Sequence, residues 1–372
     1  MAEDLFRFAD GYGPEKIVHL HHPGLGLKAI VVVDNTAAGP AIGGTRMAAD
    51  VSVEECFRLA RAMTFKNAAA GLSHGGAKSV IVADPAMPAA DKEQVIRAFA
   101  VAIRELADYI PGPDMGTDET AMAWIRDEIG RAVGLPREIG GIPLDEIGAT
   151  GFGLSIAAEV AQAFCGVSLN GAQVAIQGFG AVGKHAARFL TRQGAVLVAA
   201  SDSRGATVNP DGLDVAALVA HKEAGEPIAA FAGGRALAGD AIVGVACDIW
   251  IPAARPDVLR ADNVDRLDCR MVLQGANIPA TVEAEERLHA RGILVVPDFI
   301  ANAGGVICAA VEHAGGTQAA AFAVIEEKLR ANTAAVLRRA RDEDLKPREA
   351  AVLLAGERVR TAMSLRRWGR AR

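Results

Sequence analysis

The chain is poor in aromatic residues, which make up 5% of 372 residues with only 2 Tyr and 3 Trp. Its core therefore has to be built from Ala, Val, Ile and Leu, in a sequence that is 51% hydrophobic. It also lacks an excess of positive charge. A net charge of −6 and a pI near 5.8 argue against nucleic acid as a partner. Apolar runs are short and interrupted, so no transmembrane helix and no membrane association are expected. The opening "MAEDLFRFAD" has neither a basic n-region nor an apolar h-region, so no signal peptide is expected. The five cysteines, Cys56, Cys165, Cys247, Cys269 and Cys308, form no CxxC pair. An odd, unpatterned set suggests reduced thiols in a cytoplasmic protein, most of them small core residues. There is no internal repeat and no low-complexity linker.

What is abundant is glycine, 40 residues, which suits many tight βα turns. The length points to two domains. The first part mixes a strand at 28–34 with helices at 52–70, about 91–108 and about 119–133. From about Gly171 the texture becomes strand, Gly-rich turn, helix, strand. Further short strands follow at 247–252, 270–274 and 292–297. Alternation of this kind predicts a parallel sheet with covering helices. The last 50 or so residues are rich in Ala, Arg and Glu and read as helical. The expected division is a first domain over 1–145 and a dinucleotide-binding domain over 146–325. The helices at about 326–372 are expected to return to the first.

The stretch "GLSHGGAKS", Gly71–Ser79, is one residue away from a phosphate-binding P-loop. Its surroundings exclude that reading. The segment before it opens with Ser52 and Glu55 at capping-box spacing and carries Val53, Phe57, Ala60 and Met63 or Thr64 at helical intervals. The segment after it, "SVIVADP", reads as a strand. A P-loop joins a strand to a helix; here the order is reversed, and Lys78 needs another explanation.

A complete G-x-G-x-x-G occurs in "GFGAVG", with Gly178, Gly180 and Gly183 around Ala181 and Val182. It follows an apolar strand, opens a helix and precedes a second strand ending in Asp202. That context, rather than the glycines alone, marks a dinucleotide turn. Asp202 at the strand end suits the ribose 2′-hydroxyl of NAD, whereas Arg204 nearby could accommodate the 2′-phosphate of NADP. NAD is the expected cofactor and NADP the alternative.

The first domain also carries Lys66, Lys78 and Asp114 in small, apolar or Gly/Pro-rich surroundings. A lysine in an apolar pocket has a lowered pKa and can act as an acid–base group, a carboxylate can pass protons, and a second, charged lysine can hold a substrate carboxylate. Alternatively both lysines snorkel to solvent and Asp114 merely starts a turn. His19 and His21 lie on one face of a strand with no third metal ligand in sight, and no metal is expected. His74 reads as a turn residue. The basic "RRWGRAR" at the C-terminus reads as a solvated helix end or a subunit contact.

The quoted motifs carry a family resemblance over nearly the whole chain. "GLKAIVVVDNTAAGPAIGGTRM" and "LARAMTFKNAAAGLSHGGAKSVIVADP" are similar to the leucine dehydrogenase branch of the glutamate/leucine/phenylalanine/valine dehydrogenase family. "DEIGATGFG" and the stretch around "GFGAVG" look closer to its glutamate branch, and "DIWIPAA", "LQGAN" and "ANAGGV" occur across it. The resemblance implies an α/β protein. An N-terminal α/β substrate and oligomerisation domain joins a Rossmann-like domain, with a cleft between them whose closure excludes water. It also implies a homo-oligomer.

By resemblance, Lys66 meets the substrate α-carboxylate with Gly43 and Gly44, Lys78 is the catalytic lysine, and Asp114 shuttles protons to and from the amino group. Thr150, Ala276 and Asn277 line the cofactor, and Asn302 lies where substrate and nicotinamide meet. The implied reaction is reversible oxidative deamination of an L-amino acid to a 2-oxo acid and ammonia. The glutamate-specific branch has a lysine just before its glycine pair and a serine seven residues after the "NAGG" asparagine; here those positions hold Ile42 and Ala309. With Val306 expected to line the same pocket, an apolar, branched-chain substrate is expected. Glutamate is the alternative, with Arg46 as a substitute partner for its γ-carboxylate. A phenylalanine dehydrogenase or an inactive dinucleotide-binding regulator follows further behind.

Overall fold

A computed structural model describes residues 6–366, which divide into two compact units. Unit 1 comprises Met1–Pro143, Val306–Ala321 and Val352–Arg372; unit 2 comprises Leu144–Gly305 and Phe322–Ala351. The strands are β1 (Lys16–His22), β2 (Leu27–Asn35), β3 (Ala41–Ala48), β4 (Gly75–Val82), β5 (Tyr109–Pro113), β6 (Gln173–Gln177), β7 (Val196–Asp202), β8 (Gly205–Val208), β9 (Arg235–Leu237), β10 (Ile249–Pro252), β11 (Met271–Leu273) and β12 (Leu294–Val296). The α-helices among the described residues are α1 (Val53–Ala69), α2 (Ala89–Ala102), α3 (Glu119–Ile129), α4 (Ala149–Cys165), α5 (Ala181–Arg192), α6 (Val215–Glu223), α7 (Val282–Ala290), α8 (Asp298–Ala301), α9 (Gly304–His313), α10 (Gln318–Asp342) and α11 (Pro347–Ser364). None of the described helices is long and apolar enough to cross a membrane.

Unit 1 is built on a five-stranded mixed sheet in the order β1-β2-β4-β3-β5. Successive residues of a strand face opposite sides, and the sequence uses both. Val31, Val33, Met47 and Ile81 join Ile96 and Phe99 of α2 and Met122 and Ile125 of α3 in one core. Val32 and Val80 meet Cys56 and Ala60 of α1 on the opposite face. Burying each such Val, Ile or Phe contributes about 1.5–3 kcal/mol, so the sheet is fixed between two helical layers. Lys78 lies two residues before Val80 and shares its face, toward α1.

Three local expectations change. The strand expected after the glycine-rich stretch, at "SVIVADP", in fact begins earlier: β4 starts at Gly75 and Lys78 is a mid-strand residue. The reason is close approach. A Cβ on Gly75 would lie 1.7 Å from the Asn35 carbonyl oxygen, and one on Gly76 would lie 2.0 Å from the backbone nitrogen of Thr64 in α1. The capping box is only half made: Ser52 Oγ accepts the Glu55 N–H at 3.1 Å, while the Glu55 carboxylate pairs with Arg46 instead. The buried stripe of α1 includes Cys56, Ala60, Thr64 and Asn67 rather than Val53 and Phe57.

Unit 2 holds a seven-stranded sheet in the order β12-β11-β10-β6-β7-β8-β9, parallel from β12 to β7. The chain runs outward from β6 to β7, then returns to lay β10, β11 and β12 on the other side. The order thus reverses at β6, the place where doubly wound sheets bind ligands beyond their strand ends.

A return of the helices to unit 1 was expected from about 326, but Phe322–Ala351 groups with unit 2. Arg330 of α10 pairs with Glu159 of α4 at 3.0 Å, and Arg348 at the start of α11 pairs with Glu285 and Asp298. Further along α11, Arg358 donates to the carbonyls of Ala68 and Ala69 at the end of α1. Arg366 donates to those of Thr36 and Ala37. The remainder of "RRWGRAR" and the first five residues lie outside the described residues.

Candidate active site

Within unit 1 the fold brings Lys78, Asp114, Arg46 and the glycine pair together. Asp114 follows β5 directly, and its backbone N–H donates to Thr117 Oγ1 at 3.0 Å. A Cβ on Gly44 would lie 2.9 Å from both Lys78 Nζ and Asp114 Cβ, so glycine leaves the room in which the two side chains meet. Lys78 Nζ forms an ion pair with Asp114 Oδ2, and Arg46 Nε donates to the same oxygen at 3.2 Å. Lys78 is only 5% exposed. Burial lowers its pKa, and the Asp114 charge only partly opposes that. Burial also acts to raise the Asp114 carboxyl, but the Lys78 and Arg46 charges outweigh it and hold the group below its ordinary value. The result is a desolvated lysine beside a carboxylate that stays ionised, a pair suited to proton transfer.

The opposite face of the same strands is tied by buried hydroxyls. Tyr109 Oη meets Ser79 Oγ at 2.8 Å and Thr45 Oγ1 at 3.2 Å, and it donates to the Gly43 carbonyl at 3.2 Å. Lys66 sits half-buried in the last turn of α1. Its neighbour Asn67 donates to the carbonyls of Gly75 at 2.7 Å and Ile42 at 3.4 Å, locking that turn to β3 and β4. Ile42 is buried and, like Gly44 and Arg46, lies on the Lys78 side of β3. Val306 and Ala309 lie on α9, half-buried and buried. His74 Nδ1 donates to the Pro40 carbonyl, 3.0 Å away, as a turn residue can, and its ring packs edge-on against His313. His19 and His21 are exposed on the edge strand β1.

In unit 2 the first glycine, Gly178, has φ +94°, and a Cβ on Gly183 would lie 2.0 Å from the Gly178 carbonyl oxygen. Gly180 is the N-cap of α5, has no atom within 4 Å of a would-be Cβ, and no side chain caps the helix. Open backbone at a helix N-terminus is what a pyrophosphate requires, so the residues fit a dinucleotide. A cavity of about 440 Å³ opens there, lined in part by Phe179, Gly180, Ala181, Lys184 and Lys222. Val182 packs near Gly275, where a Cβ would lie 3.3 Å from Val182 Cγ1. Asp202 Oδ1 accepts the Arg204 N–H at 2.8 Å, and Asp202 Oδ2 takes an ion pair from Lys222, a residue that no motif marks.

The other end of this site gathers Thr150, Ala276, Asn277 and Asn302. The Gly275 and Ala276 N–H groups both donate to the Pro252 carbonyl, at 3.0 and 2.8 Å. Asn302 Nδ2 donates to the Gly275 carbonyl at 3.2 Å and to Asn277 Oδ1 at 2.9 Å. A Cβ on Gly305 would lie 3.1 Å from Thr150 Oγ1. Ile278, which follows Asn277, has φ +48°, a left-handed conformation unfavourable for a β-branched side chain. Asp298 Oδ2 holds its N–H at 2.8 Å. Arg348 braces this arrangement, pairing with Asp298 Oδ1 at 2.9 Å, with Glu285 at 2.7 Å and with Gln274 Oε1 at 2.7 Å. Arg348→Met should leave two largely buried carboxylates without their cation. We expect a loss of about 3 kcal/mol in unfolding free energy, measured by urea denaturation; a change under about 1 kcal/mol would show the network to be dispensable.

Residues 14–131 match the family model described as Glu/Leu/Phe/Val dehydrogenase, dimerisation domain, and residues 140–367 match Glutamate/Leucine/Phenylalanine/Valine dehydrogenase. The chain is 36% identical to the glutamate dehydrogenase of Aeropyrum pernix over 90% of its own length and 85% of the relative's. It is 37% identical to the NADP(+)-dependent glutamate dehydrogenase of Pyrobaculum calidifontis (91% and 86%) and 33% identical to the NAD-specific glutamate dehydrogenase A of Halobacterium salinarum (89% and 80%). Among solved structures, the hetero-hexameric glutamate dehydrogenase of Thermus thermophilus in its Leu-bound form superposes with a TM-score of 0.85 at 31% identity, covering 95% of this chain and 90% of that one. The L-tryptophan dehydrogenase of Nostoc punctiforme gives 0.74 at 25%, covering 97% and 99%. The chain belongs to the glutamate/leucine/phenylalanine/valine dehydrogenase family, the NAD(P)-dependent amino-acid dehydrogenases.

Proposed function

We propose that this amino-acid dehydrogenase carries out the reversible oxidative deamination of an L-amino acid with an apolar, branched side chain. The observation that carries the chemistry is the desolvated Lys78 paired with Asp114 beside Gly44. The bound nicotinamide supplies the hydride acceptor. Neutral Lys78 takes a proton from the water that adds to the substrate iminium carbon. Asp114, paired with Lys78, relays that proton to the nitrogen of the resulting carbinolamine; as the C–N bond breaks and ammonia leaves, the hydroxyl proton passes to the neutral Lys78 and the 2-oxo acid forms. Lys66, with the backbone of Gly43 and Gly44, holds the α-carboxylate. In unit 2, Gly178, Gly180 and Gly183 admit the pyrophosphate, Asp202 serves the adenosine ribose, and Thr150, Ala276, Asn277 and Asn302 serve the nicotinamide end.

Two readings of the side chain rest on different observations. Ile42 on the Lys78 face of β3, with Ala309 on α9, supports an apolar substrate. Glutamate is the second reading, and the comparisons favour it: the three curated relatives above are all glutamate dehydrogenases. The tryptophan dehydrogenase is a relative with an apolar aromatic substrate in its name. A dimerisation-domain match and a hexameric relative support assembly into an oligomer.

The acid–base role has a pH signature. Lys78 must be neutral to accept a proton, and burial lowers its pKa from the ordinary lysine value of 10.5. The kcat for deamination should therefore rise with pH, with a midpoint below that value, as the lysine loses its proton. A flat profile, or a midpoint at or above 10.5, would count against Lys78 as the base.

A further inference from the structure

Ile278 holds a backbone conformation that its side chain disfavours. Its φ of +48° lies in the left-handed region, which β-branched residues rarely adopt. Pro279 follows it and narrows its choice further. The side chain stays 47% exposed, so packing does not hold it there. A strained residue persists only where its surroundings over-determine it, and here the backbone does so. The Ile278 N–H donates to Asp298 Oδ2 at 2.8 Å, and its carbonyl accepts the Asp257 N–H at 2.9 Å.

Asp298 grips the same segment at its other end. Its own N–H donates at 3.0 Å to Oε1 of Gln274, a fully buried residue. Gln274 and Ile278 flank Gly275, Ala276 and Asn277, so one residue holds both ends of that tripeptide. Asp298 also opens α8, and its carbonyl accepts the Asn302 N–H at 2.8 Å. Asn302 Nδ2 closes the loop on the Gly275 carbonyl and Asn277 Oδ1. Asn302 is 4% exposed, and its Oδ1 has no partner among the described residues, a buried acceptor left for a donor from outside the chain. Asp298 is itself 5% exposed, and Arg348 Nη1, 2.9 Å from Oδ1, keeps its charge paired.

We propose that Asp298 is a positioning residue for hydride transfer. It holds Ala276 and Asn277 against the strained turn at Ile278, with Asn302 beside them, so that the nicotinamide ring meets a site already formed. This inference rests on the assignment of Ala276, Asn277 and Asn302 to the nicotinamide end.

The test compares NADH with ADP-ribose, which lacks the nicotinamide, by calorimetry on the full-length protein. The single-turnover rate of hydride transfer is followed alongside by NADH absorbance. Asp298→Ala should weaken NADH and slow hydride transfer, each about tenfold or more, and leave ADP-ribose within about threefold. Asp298→Asn keeps an oxygen for the Ile278 N–H but turns an amide toward Arg348. It should show the same split at about threefold, and it decides the matter if the alanine variant does not fold. Adding Ile278→Gly to Asp298→Ala should recover about threefold or more of the rate, because glycine takes the left-handed conformation without a clamp. A residue that merely stabilised unit 2 would not be rescued in that way. Parental NADH affinity and rate in Asp298→Ala would overturn the assignment. So would equal losses for NADH and ADP-ribose, or a double variant no faster than the single one. Parental NADH affinity and rate in Asn302→Ala would instead bring down the nicotinamide assignment, and this inference with it.

Discussion

Lys78→Ala should lower kcat for oxidative deamination by about a thousandfold or more, some 4 kcal/mol of transition-state stabilisation. The surroundings make this a clean experiment. Removing the lysine does not strand Asp114, because Arg46 Nε remains 3.2 Å from its Oδ2. The backbone at position 78 lies in the interior of β4, paired with β2 through Val32, and alanine suits that conformation. Unit 2 carries the dinucleotide turn on its own elements, so cofactor binding should persist and report a folded protein. Lys78→Arg divides two roles. It keeps a cation beside Asp114 but cannot lose its proton, so it should be nearly as inactive if Lys78 acts as a base, and substantially active if only its charge matters. A kcat for Lys78→Ala within about tenfold of the parent would remove Lys78 from the mechanism altogether.

How much of this could be read from the chain depended on the range of the interaction. The turn at Gly178–Gly183 was legible because backbone geometry alone demands its glycines. Position 178 needs a positive φ, and position 183 packs a helix onto the turn's own carbonyl. The three-layer order of unit 1 was half legible: the unbroken apolar run Ala29–Val33 marks β2 as buried on both faces, but nothing local says that β4 pairs between β2 and β3. Gly75 and Gly76 misled for a physical reason. Glycine usually weakens a strand, yet here it is required because Asn35 and Thr64 come within a Cβ's radius. Lys78 and Asp114 were singled out by their apolar surroundings, but their pairing across 36 residues came from family resemblance, not from spacing. Lys222 and Arg348 carried no signal. Each reaches its carboxylate from a helix whose placement only the folded unit defines, so a lysine in "AHKEAG" or an arginine in "KPREA" looks like any solvated helix residue.

Leucine, valine or isoleucine should be turned over with a kcat/KM about a hundredfold or more above that for glutamate. The register of β3 against β4 puts Ile42 opposite Gly76 and Thr45 opposite Ser79, so Ile42, Gly44 and Arg46 share the face of Lys78. The glutamate branch has its lysine at the position of Ile42 and a serine at that of Ala309. A glutamate γ-carboxylate would therefore enter a site short of one cation and one hydroxyl donor, and burying it unpaired costs at least several kcal/mol. Arg46 is the obvious substitute, but its guanidinium is already divided between Glu55 and Asp114. Recruiting it would loosen the carboxylate that Lys78 depends on. The named relatives weigh the other way, and the measurement is decisive between the two: kcat/KM for leucine, valine, phenylalanine and glutamate, followed by NAD(P)H absorbance. A preference for glutamate would overturn the apolar reading and assign the γ-carboxylate to Arg46, in which case Arg46→Met should erase that preference. If the apolar reading holds, Ile42→Lys should raise glutamate turnover relative to leucine by about tenfold or more, because it restores the missing cation on the correct face of the strand.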